Sequence, residues 1–366
     1  MSQNIPTLEL EGTPYEMGMT HGRALKEQIV EFAASVTAVH QANNAILGVT
    51  RDALSAFCMR HLGFLKKFSS ALVEEMRGVA DGAGVAFEDI LYLNSFLELE
   101  DLRAPGLGGK ILPDALWGCT TFNVTARATA DGSACIGQTY DMEKFYEKYL
   151  AILRIRPESG PDVLVLTLAG ILGLTGLNSA GVGAVINKVV ATDARPGVIY
   201  PFIMRKALAA ERIGDALGTV IFSPRASGIT YQLAGAGTAF CAETSATHYE
   251  LLEIDGAIAH TNHFVGAFMR RYETPNWLSH GGSMVRQQVA CTFLKRHKGA
   301  LTLDLLKELT RDHTNYPRCI CAHGFPGEPD HTAFHTIFAV IMDPAEGWLE
   351  FCPGNPCQNE YKRHAL

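Results

Sequence analysis

Apolar residues recur near a 3.6-residue period through the first hundred positions, and short apolar runs broken by turn residues dominate after that. Met17, Met19, Ala24, Leu25, Ile29, Val30, Phe32, Ala33 and Val36 predict one helix from Tyr15 to about Ile46. A glycine stop in "NAILGVTRDALSAF" precedes a second helix, with Thr50 and Asp52 as candidate caps. Further helices are expected over Ser70 to Asp81 and through "FEDILYLNSFLELEDL", with Phe87, Ile90, Leu91, Leu93 and Phe96 facing inward.

The texture changes after "RAPGLGGKILPDA", residues 103 to 115, which reads as a Gly- and Pro-rich surface loop. "CTTFNVTARAT" and "SACIGQTYD" flank an Ala-Asp-Gly turn, the strongest hairpin signal in the chain. Short strands follow in "YLAILRIRPES", "DVLVLTLAG", "ILGLTGLNSAG" and "VGAVINKVV". One helix is expected across "YPFIMRKALAAERIGDALGTV", then strands near "GITYQLAGA", "TAFCAET", "HYELLEID" and "AIAHTNHF". Two helices, "SMVRQQVACTFLKRHKG" and "TLDLLKELTRD", and a hairpin turning around Asp343 to Gly347 complete the chain. Blocks of helices alternating with blocks of strands predict an α+β protein, with sheet layers covered by helices rather than a Rossmann or TIM arrangement.

Composition narrows the function. The 366 residues are 47% hydrophobic and 19% charged, which fits a folded chain with a substantial core. A net charge of -7, with no zinc-finger spacing or basic helix, argues against nucleic acid as a partner. "MSQNIPTLELEG" has neither a basic nor an apolar signal region, so no secretory leader is expected. The apolar run from Val163 to Ile186 is interrupted by Gly, Thr, Asn and Ser and reads as strands and turns, so no membrane span is expected. Nine cysteines, an odd and sparse set, point to a reducing compartment, and cytoplasm is the expected location. Homo-oligomerisation stays open.

Cys119 stands between Gly118 and two threonines at the head of the hairpin. A cysteine in a strand is ordinarily a small buried hydrophobe, and no histidine lies close in sequence to activate this one. Cutting the Gly118–Cys119 bond would supply a base. The new α-amine has a reference pKa of about 7.7 against about 8.5 for the thiol, and covalent construction holds the two within about 3 Å. Gly118 removes bulk beside that bond. Thr120 and Thr121 put a hydroxyl on each face of the strand, which itself fixes the nucleophile.

"DALWGCTTF" with "GQTYDM" downstream resembles the acyl-coenzyme A:6-aminopenicillanic acid acyltransferase family of N-terminal nucleophile hydrolases. "GTPYEMGMTHG", "ADGAGVAFEDILYLN", "GLTGLNSAGVG", "SPRASG" and "HTNHF" extend the likeness over nearly the whole chain. The resemblance implies a four-layer αββα sandwich and self-cleavage before Cys119. The products would be a helical N-terminal segment, 1–118, and a catalytic segment, 119–366, staying associated as one compact domain. It also implies a thioester on Cys119, formed from a small acylated amine and resolved by water or by an acceptor amine. No cofactor is required, although a coenzyme A thioester is admitted as substrate. An intact, non-catalytic binding protein is the remaining alternative.

The resemblance also assigns supporting residues, each with an ordinary alternative. Tyr140-Asp141 matches an aromatic-Asp pair whose carboxylate would hold the new amine; an Asp at a strand end is otherwise a turn residue. Asn262 in "HTNHF" matches an oxyanion donor, while His260 and His263 beside it read as polar loop packing. Arg286 would favour the thiolate or bind a substrate carboxylate, or else form a structural ion pair. Asn178 and Asn187 would support the site or satisfy buried backbone, and His21 would face the pocket or act as a cap. Cys58 and Cys291 are expected in the core. "RDHTNYPRCICAHG" offers His313, Cys319, Cys321 and His323, with Cys352 and Cys357 beyond. It lacks the paired C-x₂₋₄-C rhythm of zinc modules, and no metal is expected. The ending "KRHAL" is not of the peroxisomal S-K-L type.

Overall fold

The apolar runs pair into two sheets in a computed structural model, which describes residues 5–44, 50–103, 118–235, 237–274 and 277–366. The expected loop at 103 to 115 lies outside them, apart from its first residue. The strands are β1 (Thr7–Gly12), β2 (Thr120–Val124), β3 (Cys135–Glu143), β4 (Leu150–Pro157), β5 (Val163–Leu168), β6 (Thr175–Asn178) and β7 (Gly183–Lys188). They continue as β8 (Ile229–Gly235), β9 (Thr238–Thr244), β10 (Tyr249–Leu252), β11 (Ala257–His260), β12 (Phe334–Asp343), β13 (Trp348–Pro353) and β14 (Lys362–Ala365). One sheet has eight strands in the order β1-β4-β5-β6-β7-β8-β9-β10, and the other has six, β11-β2-β3-β12-β13-β14. Among the described residues only β1 with β4 is a parallel pair, and the other ladders are antiparallel.

Every residue of β5, β7, β8 and β12 is buried, because these strands are covered on both faces. The sheets pack on each other through β2, β3, β7 and β8. The helices are α1 (Pro14–Ala24), α2 (Lys26–Asn44), α3 (Arg51–Met59), α4 (Leu62–Phe68), α5 (Ser70–Ala83), α6 (Phe87–Asn94), α7 (Phe96–Leu99), α8 (Tyr200–Leu208), α9 (Ile213–Phe222), α10 (Trp277–Arg296) and α11 (Leu303–Thr310). α8 and α9 lie on the eight-stranded sheet and α10 and α11 on the six-stranded one, giving four layers, αββα.

Three expected single helices are broken, one of them at Ser95, which divides the helix expected through "FEDILYLNSFLELEDL" into α6 and α7. The N-terminal one ends at Leu25, which leaves helical geometry and buries its side chain. α8 and α9 are separate because Arg212 is extended (φ -135°, ψ 143°). The expected cap Thr50 accepts the Ala53 N–H at 3.2 Å. The segment before Gly118 is not purely helical, since it also supplies β1, whose "TLELEG" is too short to announce itself.

α1 and α5 cross at backbone contact through Gly18 and Gly22 on one and Gly78 and Gly82 on the other. A Cβ on Gly18 would fall 2.0 Å from Glu75 O, and one on Gly78 2.1 Å from Tyr15 O. The four-residue spacing puts each glycine pair on one helix face. Among the described residues no helix is long and apolar enough to cross a membrane. The apolar run at Val163 to Ile186 forms β5, β6 and most of β7.

Candidate active site

Cys119 is buried one residue before β2 begins. Thr120 pairs with Thr139 of β3, so the next step brings Cys119 level with Tyr140 and close to Asp141. The Cys119 N–H donates to Asn262 Oδ1 at 2.9 Å. Arg286 Nη1 donates to Cys119 O at 2.7 Å and Thr120 Oγ1 at 3.1 Å, and its Nη2 donates to Asn262 Oδ1 at 3.0 Å. A guanidinium only donates, so the Asn262 atom facing it is the oxygen. Asn262 Nδ2 carries two N–H donors, of which one goes to Lys188 O at 3.1 Å.

Asp141 is fully buried and its two oxygens differ. Oδ1 accepts from Thr336 Oγ1 at 2.7 Å, whereas Oδ2 has no hydrogen-bond partner. That oxygen faces Gly118: a Cβ there would lie 2.9 Å from it and 2.8 Å from the Phe334 ring. Glycine is therefore required for close approach, not for an unusual φ. Burial pushes the Asp141 carboxyl up to about 7, against the pull of Arg286, Thr336 and Arg318. Burial, and then the charge of Asp141, push the Cys119 thiol up to about 12, opposed by the Asp141 backbone, Arg286 and Gln138. At neutral pH this thiol is protonated and needs a base.

The two threonines part as strand alternation requires. Thr120 faces Arg286 of α10, while Thr121 points between the sheets. There it donates to Asn187 Oδ1 at 2.5 Å and accepts from Gln232 Nε2 at 2.7 Å. Gln138 Nε2 donates to Ile186 O at 2.7 Å, adding a second tie beneath Cys119. Tyr140 stacks on Phe338 with ring centroids 5.0 Å apart, which sets the direction of β3 beside Asp141.

The loop carrying Asn262 is pinned on both sides. His260 Nε2 meets Glu243 Oε1 at 2.7 Å with both side chains fully buried, and Glu243 also accepts the Val265 and Gly266 N–H groups. Ser283 Oγ accepts the Asn262 N–H at 2.9 Å and lies 2.8 Å from His263 Nδ1. His260 and His263 thus do the polar packing expected of them. Sequence reading missed Glu243, Ser283, Gln138, Arg318 and Thr336. The last is 195 positions from Asp141, and no local pattern marks such a pair.

Asn178 and His21 are not brought to this cluster. Asn178 donates to Leu208 O and Ala210 O and accepts from the Ala180 and Val182 N–H groups, which closes the β6–β7 turn against α8. His21 accepts the Gly170 N–H at 3.1 Å, and burial pushes it down to about 4, so it is a neutral brace on α1. Cys58 is buried as expected, but Cys291 is exposed. In the segment for which no metal is expected, His313, Cys321, His323 and Cys357 bring their donor atoms within 4.8 Å of one another. Cys319 instead directs its thiol to Cys321 O, and Cys352 is buried in β13.

Comparison with known proteins adds an independent line. The family model described as acyl-coenzyme A:6-aminopenicillanic acid acyl-transferase matches residues 128–358. A curated relative from Emericella nidulans, the 40 kDa form of acyl-coenzyme A:6-aminopenicillanic-acid-acyltransferase, is 27% identical over 349 residues, covering 91% of this chain and 88% of its own. Among solved structures, a Caenorhabditis elegans ortholog of N-acylethanolamine-hydrolyzing acid amidase is 16% identical, with 62% of this chain and 93% of that one covered at a TM-score of 0.42. A conjugated bile acid hydrolase from Clostridium perfringens is 12% identical, with 67% and 97% covered at a TM-score of 0.43. Overlaps this loose carry nothing about substrate.

Proposed function

The chain belongs to the acyl-coenzyme A:6-aminopenicillanic acid acyltransferase family, and so is an enzyme of amide and acyl bonds; on that premise we propose that it cuts itself before Cys119 and then hydrolyses the amide of a small N-acylated amine. The observation that carries this reading is Asp141 Oδ2, buried without a partner and aimed at Gly118 beside an equally buried thiol. A structural carboxylate would be paired; one held near pKa 7 is poised to take and return a proton.

In the intact chain, Asp141 takes the proton of the Cys119 thiol, and the sulfur adds to the Gly118 carbonyl carbon. The Gly118–Cys119 C–N bond then breaks as Asp141 returns the proton to nitrogen, leaving a thioester. Water hydrolyses it to a Gly118 carboxylate, a free thiol and a terminal amine. Asn262 Oδ1, which accepts the Cys119 N–H, then orients that amine, and Asp141 is placed to hold its ammonium form. During turnover the amine takes the thiol proton, the sulfur attacks the substrate carbonyl, and the amine protonates the departing nitrogen. The second N–H of Asn262 Nδ2 is the proposed oxyanion donor, a contribution of about 3 kcal/mol. Arg286 holds the Cys119 carbonyl and Thr120, so its part is to position the nucleophile.

A second reading, transfer of the acyl group from an amide or a coenzyme A thioester to an amine, is favoured by the likeness to the Emericella nidulans acyltransferase. Intact-mass measurement tests the first step: wild type separates into residues 1–118 and 119–366, and Cys119→Ala stays whole. Cleavage of that variant at the same bond would refute self-processing. Matured protein with a panel of N-acyl amines and acyl thioesters, with and without acceptor amines, then separates hydrolysis from transfer.

A further inference from the structure

His323 Nε2 lies 3.2 Å from His313 Nε2, 3.6 Å from Cys321 Sγ and 3.5 Å from Cys357 Sγ. An imidazole nitrogen offers one in-plane proton or one lone pair, so three hydrogen bonds cannot account for three heteroatoms crowded on it. Shared ligation of one ion can. With Zn–N of about 2.05 Å and Zn–S of about 2.3 Å at tetrahedral angles, two nitrogens stand about 3.4 Å apart, and a nitrogen and a sulfur about 3.6 Å. All three distances fall within about 0.2 Å of those edges of a tetrahedron.

We propose that His313, Cys321, His323 and Cys357 bind one tetrahedral ion of the zinc class. Two imidazoles and two thiolates suit a borderline-soft divalent cation and disfavour calcium or magnesium. Four protein donors close the coordination sphere, so the site is structural rather than catalytic. Its setting agrees: the Cys321 N–H donates to Asp312 O at 3.0 Å and Asn355 Nδ2 donates to Cys321 Sγ at 3.5 Å, which fixes the approach of a thiolate. The ion ties the loop after α11 to the turn after β13, two segments also joined by Asn355 donating to Ala322 O and by Arg311 Nε donating to Pro356 O.

The clip also reaches toward Asp141. Ala322, between two ligands, donates its N–H to Thr336 Oγ1 at 2.9 Å, and the Thr336 hydroxyl is the donor to Asp141 Oδ1. The ion therefore acts as a positioning element for that hydroxyl.

The test uses the reduced full-length protein, stripped by chelator and titrated with cobalt(II) alone. One equivalent, the ligand-field bands of a tetrahedral site and a thiolate charge-transfer band are expected, all abolished by one equivalent of zinc. His313 and Cys357 are exposed, so H313A and C357S fold. Both lose the cobalt spectrum and the thermal stabilisation by zinc, while Cys291→Ser keeps both. The proposal is overturned by an octahedral or absent cobalt spectrum, by a spectrum that survives in C357S, or by a Cys321–Cys357 disulfide in place of bound metal in protein isolated under reducing conditions.

Discussion

Two buried arginines sit near buried carboxylates, and they are used in opposite ways. Arg205 forks onto Glu75, Nη1 to Oε1 at 2.7 Å and Nη2 to Oε2 at 2.9 Å, with Nη1 also donating to Leu172 O. Both carboxylate oxygens are satisfied, and α5 is locked to α8. Arg286 gives its donors to Cys119 O, Thr120 and Asn262, and leaves Asp141 Oδ2 without a hydrogen bond. A satisfied pair holds a fold together; an unsatisfied buried acid keeps its proton exchangeable.

The sharpest break in that contrast comes from the site itself. Cys119→Ala abolishes both cleavage and turnover, and Asp141→Asn slows cleavage by about 10²- to 10⁴-fold, read by intact mass over time. Asn262→Ala, in whatever fraction matures, lowers kcat about 10²- to 10³-fold. Glu75→Gln does the converse: it leaves Arg205 buried without its counter-charge, costs about 3–5 kcal/mol in thermal or denaturant unfolding, and leaves the cleavage rate of folded molecules unchanged.

A pH series sharpens the comparison further. Cleavage needs the ionised form of Asp141, so its rate rises as pH passes through about 7, and Arg286→Gln moves the midpoint upward by removing the cation that favours the carboxylate. The stability sign is opposite. A carboxyl whose folded pKa is raised binds more protons folded than unfolded, so its contribution declines as pH rises from about 4 to about 7. Asp141→Asn flattens that slope. The smallest effect is Asn178→Ala, about 1–3 kcal/mol in stability with no change in kcat.

The fold was legible where period and punctuation agree. The β2–β3 hairpin and the Asp343–Gly347 turn have strands long enough to alternate and glycines at positive φ, Gly132 at 76° and Gly347 at 68°. The hairpin connection is wider than expected, because a 3₁₀ turn at Ala126–Ala128 follows Val124. β1 and the break at Arg212 escaped because tertiary pairing, not local pattern, creates them. The return of β3 alongside Cys119 was legible in the hairpin signal, whereas Asp141, Asn262 and Arg286 came by likeness to a family. Residues that brace the site through space, Thr336, Glu243 and Ser283, left no trace in spacing. All four donors of the metal-ligand cluster stood in view in the sequence, but their spacing gave no sign that Cys357 arrives beside the other three from the far side of β13.

β1 runs parallel to β4 over six residue pairs, Thr7 with Ile152 through Gly12 with Pro157. A break in the backbone before residue 119 would not turn the first segment into a departing propeptide, because that segment owns an edge strand of a sheet built by the second. On that proposal dilution alone would not separate such halves. Their separation would strip an edge strand from the sheet, and would therefore take conditions that unfold it.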